Sequence, residues 1–261
     1  MRERSETVTV TVTEAEAGSG AGACAGPATF RDPSLDTRWR AAFDQAREKG
    51  LFERLSEVYA KVPGGRCSGC TACCAESVST FFVEWLRIRD FLEASGRWSE
   101  ALERAEDYAR FELARPMKCP MLEADGSCMI YEVRPLTCRI FGHLRAADYG
   151  RNLKAVLKAN RRAAEEIFKH YGVQLPAAVV ERSIPFCESF VSEAPLTSGD
   201  RDELFDVLFS IDSRFLMTGL LEPDQIQLGL VDWFAMVRLE GDALAEERVK
   251  HAAEAGKKAE K

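Results

Sequence analysis

Seven of the nine cysteines in this chain of 261 residues lie in one window, from Cys67 to Cys138, and this clustering constrains the fold more than any other feature. The window opens with CSGCTACC at residues 67–74, so four thiols occur within eight residues. It continues with Cys119 and Cys128 before it closes at Cys138. Thiols this dense are expected to share a common purpose, which is either a disulfide framework or a metal site.

The size of the chain and its first residues favour metal over disulfides. Disulfide frameworks are typical of small secreted domains that cannot build a core, whereas 261 residues can bury a sizeable one. The residues from Met1 to Glu6 lead into Thr/Val alternation rather than into the apolar run of a secretory signal. We therefore expect a cytoplasmic protein whose reduced thiols bind metal; disulfides and plain buried thiols are the alternatives.

The spacing indicates thiolate coordination without choosing the metal. Cys67, Cys70 and Cys73 form an overlapped CxxCxxC unit, from which three thiolates can converge on one centre. Chains that hold iron–sulfur clusters use such a unit together with a remote Cys-Pro, and Cys119-Pro120 is one. Four-cysteine zinc sites are equally compatible with these ligands. The expected cofactor is therefore Zn²⁺ or an iron–sulfur cluster, in one or two centres.

The adjacent pair Cys73 and Cys74 bears on the number of centres. Side chains of neighbouring residues usually diverge, so we expect Cys73 to join Cys67 and Cys70. Cys74 would then serve a second centre or remain an activated thiol. The distant Cys187 would raise the thiols to eight, enough for two closed four-cysteine sites. The candidate ligands are Cys67, Cys70, Cys73, Cys74, Cys119, Cys128, Cys138 and Cys187.

The three cysteine blocks together resemble the YkgJ-like cysteine-cluster family, described as zinc- or iron-chelating. The similarity rests on the CxxCxxCC opening, the middle Cys-Pro and the closing pattern CxxYxxRPxxCRxF, and it spans residues 64–172. It implies metal chelation by the seven cysteines of the window. Some members carry a further cysteine where this chain has Ala159, and Cys187 is the candidate replacement. A more distant similarity is to flagellin lysine-N-methylases, which methylate protein lysines.

Charge and hydropathy exclude two classes of partner. The net charge is −7, whereas nucleic-acid binding needs a basic footprint. No apolar run approaches the ~20 residues of a membrane-spanning helix. We therefore expect neither a nucleic-acid partner nor a membrane.

The remaining patterns predict a mainly α-helical fold around an irregular cysteine-rich core, with one small β-hairpin between Met121 and Met129. Residues 1–31 are predicted to be disordered, 32–194 to form the cysteine-cluster domain, and 195–261 to form a helical extension. Two apolar helices are expected in that extension, at 200–216 and 223–239. Their apolar surface would be covered by the main core, by a protein partner or by a second copy in a homodimer.

The predicted function is thiolate binding of zinc or an iron–sulfur cluster. A metal-dependent protein-modifying enzyme, of the lysine-N-methylase kind, is the first alternative, and an iron or redox carrier is the second. The sequence has no Ser-His-Asp set, phosphate loop or dinucleotide fingerprint. The basic residues Arg66, Lys118, Arg134 and Arg139 are expected to compensate the charge of the thiolates and to donate to sulfur. His143 is expected to be structural or at the surface.

Overall fold

The computed structural model describes residues 33–226, 228–237 and 241–259. The segment predicted to be disordered, residues 1–31, lies outside the described residues. The helices within the described part are α1 Pro33–Glu48, α2 Leu51–Ala60, α3 Phe82–Ala94, α4 Trp98–Phe111, α5 Leu136–Ile140, α6 Ala146–Tyr171, α7 Ala177–Val180, α8 Ser198–Met217, α9 Leu230–Ala235 and α10 Gly241–Ala259. The two strands are β1 Gly65–Arg66 and β2 Val191–Ser192. The prediction of a mainly α-helical fold is confirmed.

Glycine marks the helix boundaries that the sequence predicts. Gly50 separates α1 from α2 with a φ of +61°, and Gly172 ends the long helix α6 with a φ of +68°. Residues with a side chain adopt this left-handed conformation at a cost, so glycine is the residue that ends a helix most easily. The predicted break at Gly50 and the predicted end of the helix after Tyr171 are both confirmed.

The hydrophobic core is centred on α3, in which seven of the thirteen residues are buried. The indole of Trp85 is fully buried and packs against Trp98, with ring centroids 5.7 Å apart, and edge-on against Phe234 at 4.7 Å. Phe82 contacts Phe215 of α8 and Trp233 of α9, both at 5.1 Å. Burial of large aromatic side chains contributes most of the free energy that holds such layers together. Side chains from both sides of the predicted boundary at 194/195 therefore share one core, and that boundary stays a prediction.

The C-terminal part differs from the predicted pair of apolar helices. The first forms as α8, but the second is broken into a 3₁₀ turn at Pro223–Gln225 and the short helix α9. The bend between them lets the backbone of Ser79 bridge to Gly229, and the N–H of Leu230 donates to the carbonyl of Val78 at 2.8 Å. The apolar residues of α8 and α9 are thereby covered largely by this chain's own core. None of the described helices is long and apolar enough to span a lipid bilayer.

Two antiparallel pairings frame the cysteine-rich region. The predicted hairpin is present as a bridge between Leu122 and Cys128, with the N–H of Met129 donating to the carbonyl of Met121 at 2.8 Å. The second pairing joins residues far apart in the chain, β1 and β2, with Gly65 opposite Ser192. The sequence indicated only the first of these pairings, because turn signals are local and long-range pairing is not.

Candidate metal centre

Irregular segments deliver the cysteines, and backbone hydrogen bonds hold these segments together. Cys73 and Cys74 lie in a 3₁₀ turn, Ala72–Cys74. The N–H of Cys119 donates to the carbonyl of Cys74 at 2.9 Å, which ties the first cysteine loop to the second. The bridge from Leu122 to Cys128 then folds the second loop back on itself.

The turn that carries the adjacent cysteines begins with an unusual backbone conformation. Thr71 has a φ of +57°, the left-handed region that β-branched residues rarely enter. Gly126, at the tip of the second loop, lies so close that an added Cβ would be 3.4 Å from the Thr71 methyl group. Sparsely populated conformations of this kind cluster at ligand sites, where the surrounding structure holds them in place.

Five thiols form what we call the inner thiol group: Cys73, Cys74, Cys119, Cys128 and Cys138. The thiols of this group act on one another electrostatically. The pKa of Cys138 is raised well above its usual range, first by burial and then by the nearby thiols of Cys119, Cys128 and Cys73. Burial likewise raises the pKa of Cys119 to about 11 and raises the pKa of Cys128. These thiols are therefore protonated at neutral pH until a cation displaces their protons.

Cys73 and Cys74 contact each other rather than diverging as the sequence analysis expected. The Cys73 thiol donates a hydrogen bond to the Cys74 sulfur, which lowers the pKa of Cys74 and raises the pKa of Cys73. Cys73 faces Cys70 as well as the inner thiol group.

The remaining candidate ligands lie nearer the solvent. Cys67 and Cys70 are exposed, and the N–H of Gly69 donates to the Cys67 sulfur at 3.4 Å. Hydrogen bonds from the backbone N–H of Ala72 and from the Ser68 hydroxyl lower the pKa of Cys70. Cys187 is half-buried and lies in the segment between α7 and β2. All eight described cysteines are free thiols.

The four basic residues that were predicted to compensate the charge of the thiolates differ in their surroundings. Arg134 acts electrostatically on Cys73, Cys128 and Cys138, and its Nε is buried without a hydrogen-bond partner. Arg139 points elsewhere: its guanidinium lies 3.9 Å above the Tyr59 ring, and its Nε donates to the carbonyl of Arg134 at 2.9 Å.

Arg66 and Lys118 are exposed to solvent. Arg104, which the sequence analysis missed, lies on α4 and lowers the pKa of Cys119 against the effect of burial. Arg104 also pairs with Glu123 at 3.1 Å and donates a hydrogen bond to the carbonyl of Leu122, so it ties the hairpin to α4. No signal in the sequence connects Arg104 to the cysteines, because the two meet only through the packing of α4.

A buried carboxylate that the sequence analysis also missed supports the helix of Cys138. Glu84 is 1% exposed, and its carboxylate accepts hydrogen bonds from the backbone N–H of Leu136 at 2.6 Å, the N–H of Phe81 at 3.0 Å and the hydroxyl of Tyr59 at 2.9 Å. Burial raises the pKa of Glu84. The one available signal was an acidic residue among the apolar residues that begin α3.

His143 serves as a structural residue, as expected. Its side chain is 7% exposed, its Nδ1 lies 2.8 Å from the Ser192 hydroxyl, and its ring packs edge-on against Phe190 at 4.7 Å. Burial lowers the pKa of His143. The imidazole therefore joins the 3₁₀ turn Phe141–His143 to β2.

The donor set of the inner thiol group suits a soft cation. Sulfur ligands select zinc, copper(I) and iron–sulfur clusters over the hard cations that prefer oxygen. The Nε–H of Arg134 is buried without a hydrogen-bond acceptor. An anionic sulfur would accept a hydrogen bond from this group, and it is a stronger acceptor than a protonated thiol. Among the described side chains, no three of His, Cys, Asp or Glu already stand in an arrangement that could hold a metal ion. Binding would therefore draw the thiols inward, as is usual where the metal completes the fold.

Comparison with known proteins gives one match. Residues 66–162 match the family model CxxCxxCC, described as a "putative zinc- or iron-chelating domain". No curated protein and no solved structure matched the chain. The matched range begins at β1 and ends within α6, so it contains seven of the eight candidate ligands and excludes Cys187. This range therefore matches the model of the cysteine-cluster family that the sequence resembles.

Proposed function

We propose that the inner thiol group binds Zn²⁺ or an iron–sulfur cluster through thiolates. The observation that carries this proposal is that backbone hydrogen bonds tie the cysteine loops together, from the N–H of Cys119 to the carbonyl of Cys74 at 2.9 Å and across the bridge from Leu122 to Cys128. Five thiols from three separate stretches of chain also perturb one another's pKa. The description of the matched family as zinc- or iron-chelating supports metal binding in general. Five sulfurs exceed the four ligands of a tetrahedral site, so one of them remains available to a neighbouring centre.

The electrostatics of the group support this function. Burial favours the protonated form of Cys119, Cys128 and Cys138, whereas a bound cation would stabilise each of their thiolates. Arg134 stands beside the group with an unpaired donor, and Arg104 stands behind Cys119. Both would offset the negative charge that several thiolates leave after a divalent ion is bound.

A bound metal would cross-link segments that have little regular structure between them. The loops from Thr71 to Cys74 and from Cys119 to Cys128, together with α5, would become one unit through their sulfurs. Because such a site rarely exists before the chain closes around the ion, its binding free energy contributes to folding. A reducing compartment such as the cytoplasm suits this function because the ligands must stay unoxidised.

Anaerobic purification with metal analysis, acid-labile sulfide analysis and an absorption spectrum tests the proposal. Zinc without sulfide indicates mononuclear sites, whereas iron with sulfide and visible absorption indicates a cluster. Cys138→Ser is expected to lower the metal content because it removes a buried ligand, while Cys24→Ala removes a cysteine from the segment 1–31 and is the matched control. Full metal content in Cys138→Ser, or a wild-type protein that binds neither zinc nor iron after reconstitution, would contradict the proposal.

Removal of the metal tests the structural consequence. Verified extraction with a strong chelator is expected to raise hydrogen exchange across residues 64–142, because the loops lose their shared anchor. The backbone amides of α8 and α9, which belong to the aromatic core, are expected to keep their protection. Equal exchange in residues 64–142 with and without metal would show that the metal does not hold these loops.

A further inference from the structure

We infer that Cys187 joins Cys67 and Cys70 in a second thiolate site that faces the solvent and is separate from the inner thiol group. The inference rests on the proposed function, because it assumes that this chain binds metal through cysteine. It goes beyond the family match, which ends at residue 162 and so assigns no role to Cys187. We call these three residues the outer thiol group.

The pairing of β1 with β2 brings the outer thiols to one place. Arg66 pairs with Val191 in an antiparallel arrangement, so the residues that follow Arg66 run beside the residues that precede Val191. The hydroxyl of Ser68 lies 2.8 Å from that of Ser189, which continues the same register two residues beyond the last bonded pair. Cys70 and Cys187 each lie two residues beyond this pair. Gly69, with a φ of +70°, turns the chain before Cys70, so the strand pairing itself does not extend to the two cysteines.

The electrostatic surroundings of Cys70 also place its thiol near the segment of Ser189. The Ser189 hydroxyl hydrogen-bonds to the Cys70 sulfur, and the Ser68 hydroxyl does so as well. The thiol of Cys70 therefore already touches the short segment that carries Cys187. Cys67 begins the same loop directly after β1, and both Cys67 and Cys70 are exposed.

The segment that follows Cys187 is held in a notch made by two glycines. The ring of Phe190 lies so close to Gly65 and Gly142 that an added Cβ would approach it to 2.3 Å and 2.5 Å. Only a residue without a side chain leaves room for the ring at these two places. His143 packs against the same ring and also contacts the Ser192 hydroxyl at 2.8 Å. Phe190 therefore locks β2 against both the first cysteine loop and the turn after α5.

The segment that precedes Cys187 is also anchored. The hydroxyl of Tyr149, on α6, donates to the carbonyl of Ile184 at 2.8 Å. The ring of Tyr149 packs on Phe186, with centroids 5.3 Å apart. Anchors on both sides of Cys187 keep its thiol near the outer loop instead of leaving it on a free connection, which lowers the entropy lost when a metal ion closes the site.

The chemistry of the outer thiol group differs from that of the inner one. Three thiolates leave one position of a tetrahedral ion open, and an open position at the surface permits ligand exchange with solvent or with a second molecule. Gly69, with a φ of +70° and no atom within 4 Å of an added Cβ, leaves the loop room to close. The outer group is therefore a site for a soft divalent cation, such as Zn²⁺, that exchanges faster than the inner one.

Titration of the reduced, metal-free full chain with Co²⁺, a spectroscopic stand-in for Zn²⁺, tests the inference. The wild type is expected to bind Co²⁺ in two phases with thiolate charge-transfer absorption. Cys187→Ser is expected to lose the weaker binding phase, which corresponds to about one equivalent of Co²⁺, because such an ion needs at least three protein ligands. Cys24→Ala is expected to keep both binding phases. A Cys187→Ser protein that shows both phases unchanged overturns the inference but not the proposed function. A wild type without any thiolate-to-cobalt absorption overturns both.

Gly142→Ala provides a second variant that retains every cysteine. Its Cβ would displace Phe190 and so shift Cys187 away from the outer loop. The weaker phase is expected to lose affinity by about 10-fold or more, the scale at which even the loss of a supporting partner weakens a metal site. The circular dichroism spectrum and the stronger phase report whether the fold is retained. An unaltered weaker phase in a protein whose Phe190 is shown to have moved overturns the inference.

Discussion

The carboxylate of Glu84 accepts a hydrogen bond of 2.6 Å from the backbone N–H of Leu136, the first residue of the helix that carries Cys138. This contact joins helix α3 of the core to the helix that carries the last cysteine of the inner thiol group. The core therefore helps to position Cys138 through one buried acceptor, and the same carboxylate also accepts hydrogen bonds from Phe81 and Tyr59.

Replacement of Glu84 by Ala is expected to lower the free energy of unfolding by about 2–4 kcal/mol, because it leaves several buried donors unsatisfied. Glu84→Gln keeps one carbonyl acceptor and should lose less. Glu93→Ala, which removes an exposed carboxylate from the same helix, is the matched control and should change stability by no more than ~0.5 kcal/mol. Urea unfolding of all three variants with metal bound measures these differences. Equal stability of Glu84→Ala and Glu93→Ala would refute the role given to Glu84.

Arg134→Met is expected to weaken metal binding by about 10- to 100-fold, the range seen when a partner of the ligands is removed. The physical reason is that Arg134 places a buried, unpaired donor beside three thiols of the inner group. Arg66→Met removes a charge that is close in sequence to Cys67 but exposed, and it should leave the affinity nearly unchanged. Competition with a chromophoric chelator measures both affinities. The same loss in both variants would indicate a general effect of net charge.

The thiols of the reduced, metal-free chain are expected to react with iodoacetamide at unequal rates near about pH 7.5. The thiolate is the nucleophile, so Cys70 and Cys74, whose pKa values are lowered, should react before Cys119 and Cys138, whose pKa values are raised. Peptide mass spectrometry at timed intervals resolves the order. Below a pKa of about 11, the rate at Cys119 should rise roughly 10-fold per pH unit. Early labelling of Cys138 would show that the inner group opens readily without metal.

Glu112 is expected to make stability depend on pH. Burial raises its pKa to about 7, although it pairs with Arg248 at 2.7 Å, because Arg248 also serves Asp232 at 2.6 Å. In the unfolded chain Glu112 releases its proton near its ordinary pKa of 4.5, whereas the folded chain keeps that proton up to about pH 7. The folded state therefore binds more protons between these values, and the contribution of Glu112 to stability falls as pH rises through this window.

Glu112→Gln removes this titration, so the comparison of wild type with variant isolates it from the pH dependence of metal binding. The stability of the wild type relative to Glu112→Gln should fall by about 1–3 kcal/mol between pH 4.5 and pH 7. Glu103→Gln, at an exposed position of α4, should give a pH profile parallel to that of the wild type. Urea unfolding at several pH values measures the differences. A difference between wild type and Glu112→Gln that does not change with pH would contradict the assignment.

The sequence alone determined the features that depend on residue type and on neighbours along the chain. The break at Gly50 follows from the helix propensity of glycine, and the pairing of Leu122 with Cys128 follows from the turn signal of Asp125-Gly126. The match of residues 66–162 to the cysteine-cluster family model followed in the same way from the spacing of the thiols. These properties are local, so they are legible without knowledge of the fold.

Only the tertiary structure decided which distant residues meet. The interaction of Cys73 with Cys74, within the 3₁₀ turn Ala72–Cys74, departs from the rule for neighbouring side chains. The guanidinium of Arg139 lies over the ring of Tyr59, whereas Arg134 acts on the thiols. The two arginines are only five residues apart, and the sequence does not show that their surroundings differ. The pairing of Gly65 with Ser192 depends on the notch that receives Phe190. Contacts of this kind arise from the packing of the whole core, and the free energy that selects them belongs to no single stretch of the chain.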